Sequence, residues 1–385
     1  MDVPQGMLQK LREMAGHNEI KPTLSKAPGR IEVLGNHTDY NSGMVLAASI
    51  DKFVWILGIP DHEVHIYAAD YDEEIRFNLN SNEPSNQSSW EMYVRGVFWA
   101  FKRRKHNIKG LIAVIHGDVP KGGGLSSSAA LEVSLANLIQ SVSELSLQPK
   151  PIAMIAFEAE RLYCGISCGI MDQFTSQLGE PNALVSINCR NLQTQSIPMD
   201  NDAQFVAIDS KVTRSASDPL NKRRHECVNA VETLRDSGWS IQNLSDITPQ
   251  YLVQAQEVLD ETAFNRVSHV VNENARVLEG MSALVNHNLV RFGELMFESH
   301  TSSRDLYEVS HPRLDLLVEL SNQVEGVLGS RLTGAGFGGS VLALVRRGHV
   351  DDFCRRISAN YESGTGVAPE VTPISIPGGV KIRRA

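Results

Sequence analysis

The sequence lacks the basic surplus that a general nucleic-acid binder needs. It carries 36 Lys and Arg residues against 45 Asp and Glu residues, for a formal net charge of -9 at pH 7. Proteins that grip nucleic acid through its phosphates require a basic surface. This balance disfavours a nucleic-acid partner, but it does not prevent one locally positive pocket from binding a small anion.

Long apolar runs and secretory features are also missing. No apolar stretch approaches the roughly 18 residues of a membrane helix, and the N-terminal region lacks the basic start and apolar middle of a signal peptide. Met7, Leu8, Leu11 and Met14 instead fall on one helical stripe and predict a short amphipathic helix. The 5 cysteines form neither a disulfide framework nor paired C-x-x-C motifs. We therefore expect free thiols in a cytoplasmic protein without a membrane partner.

Strand and helix patterns alternate along the chain without the regular period of a doubly wound sheet. Apolar, β-branched segments at 52–59, 63–71 and 110–120 predict strands, whereas residues 220–325 are mostly helical in pattern. A chain of 385 residues is expected to form two or three domains. The pattern favours an α+β architecture with a boundary near residues 195–205.

A glycine and serine run, "PKGGGLSSSAALE" from Pro120 to Glu132, suits polyphosphate. Consecutive glycines let the backbone approach a ligand, and the helix that follows presents free N–H groups and the positive end of its dipole. The hydroxyls of Ser126, Ser127 and Ser128 can contact phosphate or magnesium. An ordinary glycine-rich turn with a serine cap would have the same pattern, and no Walker loop is present.

A second glycine cluster begins at Gly334. Gly334, Gly336 and Gly339 formally match the dinucleotide fingerprint G-x-G-x-x-G, but an apolar strand pattern follows them. The fingerprint opens a helix within a βαβ unit. We therefore expect no NAD site, and predict a tight turn whose backbone approaches a ligand or another segment.

Two further segments concentrate reactive side chains. Asp172 lies in the mostly uncharged "CGISCGIMDQFTSQLG", with Glu160 on a predicted helix 12 residues upstream. One carboxylate could polarise a substrate hydroxyl while the other holds a metal, although the pattern in isolation favours Asp172 as a helix cap and Glu160 as a solvated side chain. The stretch "GRIEVLGNHTDYNSGMVL", from Gly29 to Leu46, is expected to be too polar for a core and too regular for a linker. It is predicted to contact a ligand.

In chain order, these segments resemble galactokinase-type sugar kinases of the GHMP family, which also includes homoserine, mevalonate and phosphomevalonate kinases. Gly29 to Leu46 resembles the signature G-R-x-N-L-I-G-E-H-T-D-Y-N-x-G-x-V-L. "GGGLSSSAALEV" resembles the phosphate loop, "LTGAGFGGS" the third motif, and "CGIMDQF" the segment with the catalytic aspartate. The similarity spans nearly the whole chain.

The resemblance implies a GHMP kinase fold with the active site between two domains. Residues 1–200 would form a domain like domain 2 of ribosomal protein S5, and residues 201–385 a ferredoxin-like domain. The implied reaction is phosphorylation of the anomeric C1 hydroxyl of a galactose-like sugar by ATP with Mg²⁺. The expected partners are therefore the sugar and ATP, and the expected state is a monomer or weak dimer.

The resemblance also assigns roles to individual residues. Asp172 would face the C1 hydroxyl as the candidate base, and Arg30 would hold that aspartate ionised and stabilise the transferring phosphoryl group. Ser128 and Glu160 match the magnesium-binding pair. Sugar contacts are implied for His37, Asp39 and Gly169. The implied ATP-binding residues are Pro120, Gly122, Gly123, Gly124, Leu125, Ser126, Ser127, Ser128, Gly334 and Gly336.

Three positions depart from the family pattern. Asn36 replaces a glutamate that reaches the C6 end of galactose, Leu220 replaces a tyrosine that contacts the sugar, and Glu32 replaces an asparagine. An asparagine at position 36 removes repulsion toward a sugar carboxylate. Galacturonate, another hexuronate or L-arabinose is therefore an alternative substrate, while Asn36 could still bond the C6 hydroxyl of galactose. A non-catalytic galactose sensor is disfavoured, because Arg30, Asp172 and the phosphate loop are all present.

Overall fold

The computed structural model describes residues 3–79, 89–120, 124–166, 168–213 and 217–384. Twelve strands are found within these ranges. They are β1 (Thr23–Leu34), β2 (Met44–Asp61), β3 (Val64–Ala68), β4 (Glu73–Phe77), β5 (Gly110–Gly117), β6 (Ala183–Asn188), β7 (Gln193–Pro198), β8 (Ala203–Asp209), β9 (Val327–Leu332), β10 (Ser340–Arg346), β11 (Glu370–Ile374) and β12 (Lys381–Arg384).

The strands form two sheets. The larger has eight strands in the order β12-β1-β2-β5-β3-β4, with β6 paired to the start of β2 and β7 paired to β6. Its pairs are antiparallel except for β3 with β5. The smaller is antiparallel, in the order β11-β8-β10-β9. The chain passes from the larger sheet to the smaller between β7 and β8, and its last strand returns to the edge of the larger sheet beside β1.

Helices cover the sheets and join them. They are α1 (Met7–Ala15), α2 (Ser89–Arg103), α3 (Ser127–Val142), α4 (Pro149–Glu158), α5 (Met171–Leu178), α6 (Ser217–Asp236), α7 (Leu252–Gln256), α8 (Glu261–Val285), α9 (Leu289–Asp305), α10 (Pro312–Asn322) and α11 (Val350–Thr365). None of the helices in the described ranges combines the length and apolar character of a membrane span.

The hydrophobic pattern explains where the main helices lie. The predicted stripe of α1 is confirmed, since Met7 and Leu11 are buried against Leu24, Leu57 and Val114 of the larger sheet. Helix α3 is apolar over most of its surface because it is enclosed by β1, β2 and helices α2, α4 and α5. A helix that is apolar on all sides belongs in a core. Its N-terminus, which follows the phosphate loop, is thereby held in place.

Helices α8 and α9 connect the C-terminal half of the chain to the larger sheet. Helix α8 contacts β1, β2 and β7, and α9 contacts β1 and packs on β9. The contact between α9 and β9 is made backbone to backbone at Gly293 and Gly329. A Cβ atom on Gly293 would lie 2.0 Å from the carbonyl oxygen of Leu328. This close approach brings the polar face of α9 to the end of β1.

We expect Gly293→Ala to lower the free energy of unfolding, even though alanine favours helix over glycine. The new methyl group collides with backbone that cannot rotate away, and overpacking of this kind typically costs about 1–3 kcal/mol. Urea denaturation would measure the loss. Gly348→Ala is the matched control, because no atom lies within 4 Å of a Cβ at that position. Equal stability of the two variants would contradict the proposed packing.

Candidate active site

Strand β1, which carries Gly29 and Arg30 of the signature motif and which we call the signature strand, lies beside the phosphate loop. The backbone N–H of Arg30 donates to the carbonyl oxygen of Leu125 at 3.0 Å. A Cβ atom on Gly29 would lie 2.5 Å from that same oxygen, so only glycine permits the approach. Two motifs that are almost 100 residues apart in sequence therefore form one surface.

The Arg30 side chain links three elements of the fold. Its Nε donates to Oδ1 of Asp172 at 2.8 Å and its Nη2 to Oδ2 at 2.7 Å, while Nη1 donates to the carbonyl oxygen of Gly124 at 2.7 Å. The hydroxyl of Ser126 also donates to Oδ2 of Asp172. Arg30 is only 6% exposed. Two parallel hydrogen bonds set the orientation of the carboxylate as well as attracting it.

The phosphate loop turns sharply before α3. Gly124 and Ser126 both have positive φ, at 75° and 60°, and α3 begins at Ser127. The helix N-terminus offers unpaired backbone N–H groups and a positive dipole end. Pro120 and Leu125 line a small cleft with Ser340 at the start of β10. Gly122 and Gly123, which are also predicted to bind ATP, lie outside the described residues.

The side chains of Ser128, at the start of α3, and Glu160 face each other. The Ser128 hydroxyl donates to Oε1 of Glu160 at 3.0 Å. Glu160 lies in a π-helical turn, Ala159–Tyr163, that continues α4, and such turns are frequent at functional sites. Gln173 donates to Glu160 at 2.5 Å and to the fully buried Glu132 at 3.0 Å. Burial raises the pKa of both glutamates, that of Glu132 strongly.

These oxygens suit a cation that is shared with a phosphate ligand. Among the described residues, no group of three or more His, Cys, Asp and Glu side chains forms a complete metal site. Magnesium usually binds one or two carboxylates together with waters and substrate phosphates, and does not require a cage made only of protein groups. The Ser128–Glu160 pair at the start of α3 fits that pattern.

The polar stretch that follows β1 is buried, contrary to the expectation that it is too polar for a core. Asn36, His37, Thr38 and Asn41 are all buried. Burial of such groups requires that their hydrogen bonds be made. Glu273 of α8 accepts from the backbone N–H groups of Gly35 and Asn36 at 2.9 and 3.2 Å. The polar composition of the stretch suggested an exposed position, because its hydrogen-bond partners on α8 cannot be inferred from the stretch itself.

His37 and Asp39 lie in this buried loop, residues 35–43, which we call the signature loop. His37 has φ of 62° and stacks on Tyr307, with 4.8 Å between ring centroids. Its Nδ1 is 2.9 Å from the hydroxyl of Tyr40. Burial lowers the pKa of His37 well below its usual 6.5, so the ring is neutral. Neutral imidazole can donate and accept toward sugar hydroxyls without carrying a charge.

Asp39 packs directly against Gly169. A Cβ atom on Gly169 would lie 1.5 Å from Oδ2 of Asp39. Only glycine therefore allows the backbone before α5 to lie this close to the carboxylate. Burial raises the pKa of Asp39 from 3.8 to about 6, and the nearby charges of Glu32 and Asp172 add to the rise. The structure thus brings together Arg30, Asp39, Gly169 and Asp172.

Asn36 is placed differently from the other predicted sugar contacts. It is 0% exposed. Its Nδ2 donates to Oε1 of Glu32 at 2.9 Å and to the carbonyl oxygen of Gly334 at 2.8 Å, and its Oδ1 accepts from the hydroxyl of Ser303 at 3.0 Å. Both amide hydrogens are used by the protein, so a sugar contact through this group remains a prediction.

Leu220 and Gly336 are two further residues for which the sequence predicts a ligand contact. Leu220 is half-buried on α6, one helical turn before Arg224, whose guanidinium lies 4.4 Å from the centroid of the Tyr40 ring. Gly336 has φ of 78°, and a Cβ there would lie 2.1 Å from the carbonyl oxygen of Val309. The strand β10 after this cluster confirms that the glycines are not a dinucleotide fingerprint.

Sequence reasoning missed the residues that hold the signature loop. Glu273 and His269 on α8 bond its backbone, and Ser303 on α9 bonds its asparagine. Arg331 on β9 is 0% exposed and donates to Glu32 at 3.0 Å. Each is an isolated polar residue within an amphipathic element, more than 200 positions from its partner. No local spacing distinguishes such residues from solvated ones.

An aromatic cavity of about 270 Å³ opens beside the start of α3. Trp90 and Tyr93 of α2, together with Tyr71 and Leu131, form its apolar walls, and Ser127 and Ser128 also line it. Flat aromatic walls with a few polar groups suit a planar ring system. The cavity was not predicted, because its lining comes from five separate segments.

Comparison with known proteins agrees with this geometry. Residues 92–180 match the GHMP kinases N terminal domain, residues 281–363 the GHMP kinases C terminal domain, and residues 10–60 the galactokinase galactose-binding signature. A galactokinase of Roseiflexus sp. (strain RS-1) is 39% identical over 354 residues, covering 91% of this chain and 90% of the relative. The chain belongs to the galactokinase branch of the GHMP kinase family. It is a sugar kinase, a phosphotransferase with an alcohol group as acceptor.

Other relatives support the family and the fold. A galactokinase of Haemophilus influenzae (strain PittEE) is 37% identical, covering 95% of this chain and 96% of the relative. The crystal structure of Lactococcus lactis galactokinase complexed with galactose has a TM-score of 0.93 at 31% identity, covering 97% and 98% of the two chains. A mevalonate kinase structure, 17% identical with a TM-score of 0.66, shares the fold. The expected α+β GHMP kinase fold is confirmed.

We expect Asp39→Asn to raise the free energy of unfolding at neutral pH. The pKa of Asp39 is raised from 3.8 to about 6 in the folded protein. Ionisation of such a group costs stability above the folded pKa, and the cost disappears as the pH falls toward the unfolded value. The gain from asparagine should be about 1–3 kcal/mol near pH 7.5 and should shrink near pH 4.

Urea denaturation of the ligand-free protein at the two pH values measures this difference. Asp236→Asn, at an exposed position on α6, is the control and should change stability little at either pH. If Asp39→Asn destabilised the protein at both pH values, the carboxylate would be a net stabilising group, contrary to the raised pKa.

Proposed function

We propose that this chain transfers the γ-phosphoryl group of ATP to the anomeric C1 hydroxyl of galactose. The observation that carries the proposal is the Arg30–Asp172 pair, which is held between the signature strand and the phosphate loop. The similarity to relatives named galactokinase, and to one solved in complex with galactose, supports galactose as the acceptor.

In this proposal the signature loop binds the sugar ring. The carboxylate of Asp39 accepts hydrogen bonds from two adjacent ring hydroxyls, and the neutral ring of His37 bonds another. Gly169 keeps the opposite wall close to Asp39. These contacts place the C1 hydroxyl toward Asp172 and the start of α3.

The chemical step transfers one proton and one phosphoryl group. The C1 oxygen attacks the γ-phosphorus while its proton passes to Asp172. The bond from that phosphorus to the β–γ bridging oxygen breaks, and ADP leaves. Arg30 keeps the aspartate oriented and faces the charge that develops on the phosphoryl oxygens, and the N–H groups at the start of α3 hold the β- and γ-phosphates. Catalysis then rests on positioning and electrostatic stabilisation.

Mg²⁺ would be held by Ser128 and Glu160. When bound, it supplies positive charge that neutralises the β- and γ-phosphate oxygens. Gln173 holds the Glu160 carboxylate through a hydrogen bond of 2.5 Å, which orients the oxygens that the ion would use.

The aromatic cavity beside α3 would receive the nucleoside of ATP. It opens at Ser127 and Ser128, next to the helix N-terminus that would bind the phosphates. Stacking against Trp90 and Tyr93 would position the base, and the phosphates would then run along residues 124–128 toward Asp172.

Galacturonate, another hexuronate and L-arabinose remain the alternatives that Asn36 and Leu220 raised. An ADP-release assay with galactose, galacturonate, glucuronate and L-arabinose tests the choice directly. The proposal requires the highest kcat/KM for galactose. A higher value for any of the others would replace galactose as the substrate.

We expect Asp172→Asn to reduce kcat by at least about 10²-fold, the lower range of general-base contributions, while the protein stays folded and binds ATP. The asparagine keeps the shape of the side chain but cannot accept the proton. The ADP-release assay measures turnover, and ATP titration by intrinsic fluorescence measures binding. Asp352→Asn, which removes an aspartate paired with Arg355 on α11, is the control. Near-normal kcat in Asp172→Asn would mean that Asp172 only positions the hydroxyl.

Tyr93→Ala is expected to raise the KM for ATP by about tenfold, equivalent to about 1.4 kcal/mol, with little change in the KM for the sugar. The substitution removes one aromatic wall of the cavity and leaves the phosphate loop intact. Steady-state kinetics with each substrate varied in turn separate the two constants. Tyr251→Ala, at an exposed tyrosine, should change neither. An unchanged KM for ATP would remove the nucleoside from this cavity.

A further inference from the structure

A carboxylate and a carboxamide face each other at the end of β1. Oε1 of Glu32 accepts from Nδ2 of Asn36 at 2.9 Å. The family signature has the amide at position 32 and the carboxylate at position 36, so the two groups have exchanged places in this chain. The pair keeps one carboxylate and one carboxamide. The exchange therefore moves a negative charge and does not remove it.

Glu32 projects from the same face of β1 as Arg30. Ile31 and Val33, which alternate with them, enter the main hydrophobic core. Residues two apart on a strand lie about 6.6 Å apart on one face, which is close to the length of a pyranose ring with its C6 group. With the C1 end of the sugar at Arg30 and Asp172, the far end of the ring reaches the level of Glu32.

The two carboxylate oxygens of Glu32 differ in their hydrogen bonding. Glu32 is 4% exposed, and its Oε1 accepts from both Asn36 and Arg331. Its Oε2 accepts no hydrogen bond from the part of the chain that the structure describes. The charge of Glu32 contributes to the raised pKa of Asp39, and Arg30 in turn acts on Glu32. The charge of Glu32 therefore interacts with the same groups, Arg30 and Asp39, that the proposed function uses.

Asn36 cannot fill this role without losing bonds. Its two amide hydrogens are given to Glu32 and Gly334, and its oxygen accepts from Ser303. Its backbone is held as well, by Glu273 on one side and His269 on the other. Asn36 is therefore a fixed support for Glu32.

Resting on the proposed function, we infer that Glu32 is the specificity-determining residue at the C6 end of the sugar. Its Oε2 accepts a hydrogen bond from the C6 hydroxyl of galactose, and its charge repels a C6 carboxylate. The Glu32–Asn36 exchange thus preserves discrimination against hexuronates, the reverse of what Asn36 alone suggests. Arg331 offsets part of the charge, but it is already paired through Oε1.

The first test compares Glu32→Gln with the unaltered protein on galactose, galacturonate and L-arabinose. We expect the ratio of kcat/KM for galactose to that for galacturonate to fall at least tenfold. The value for L-arabinose, which lacks C6, should change less than threefold. Where galacturonate turnover is too slow to measure, its inhibition constant against galactose replaces it. A galactose-to-galacturonate ratio within twofold of the original overturns the inference.

Glu226→Gln is the matched control for loss of a buried ion pair. Glu226 bonds Arg266, which is 2% exposed, at 2.7 Å, much as Glu32 bonds Arg331. This variant should lower stability without changing the ratio. If both variants shift the ratio equally, the effect comes from a loosened structure and the inference fails.

The second test restores the order of the family signature. Asn36→Glu alone places two carboxylates side by side and should reduce kcat/KM for galactose at least tenfold. Combining it with Glu32→Asn should recover activity to within about threefold and retain the galactose preference. Coupling of this kind is measured by a double-mutant cycle. Additive losses in the double variant would show that the two positions act independently and would overturn the inference.

The two proposals fail in different ways. If the unaltered protein does not phosphorylate galactose, the proposed function fails. If it does, and the Glu32 variants leave its sugar preference unchanged, only the role of Glu32 fails.

Discussion

The ion pair between the guanidinium of Arg30 and the carboxylate of Asp172 is the interaction on which the site depends. A buried arginine is costly unless its charge and its N–H groups are matched. Here the matching groups are both oxygens of Asp172 and the carbonyl oxygen of Gly124. One side chain on β1 thereby fixes the start of α5 and the phosphate loop relative to each other. Loss of Arg30 or Asp172 would leave the other charge without its partner, and loss of the Gly124 carbonyl would leave a buried N–H group of Arg30 unpaired.

The buried polar groups of the signature loop also need hydrogen-bond partners. Its polar side chains and backbone groups are taken out of water, and helices α8 and α9 supply the missing partners. Glu273 alone accepts from two backbone N–H groups of the loop, from Ser299 and from Arg276. Its neighbouring cations hold the pKa of this carboxylate far below its usual range. Because these helices belong to the C-terminal half of the chain, the signature loop has its hydrogen-bond partners only when both halves are assembled.

The Glu32–Asn36 pair shows why substitutions in a motif cannot always be interpreted one at a time. Considered alone, Asn36 suggests a pocket that has lost a negative charge and accepts an acidic sugar. The hydrogen bond between the two side chains couples them, so the electrostatic outcome depends on their sum. A spacing of four residues across the end of a strand gives no indication of this contact, because residues four apart need not meet outside a helix.

The sequence by itself determined the family, the reaction class and most of the fold. Local patterns sufficed for α1, α3 and β10, since periodicity and glycine placement reflect local backbone physics. The motifs also predicted roles for Arg30, Asp172, Ser128 and Glu160, which the structure brings together as two hydrogen-bonded pairs. The tertiary structure alone decided which groups are free to act. It buried the signature loop, used both amide hydrogens of Asn36 and left Oε2 of Glu32 without a donor among the described residues. Hydrogen-bond partners hundreds of residues away decide what each polar group can still offer a ligand.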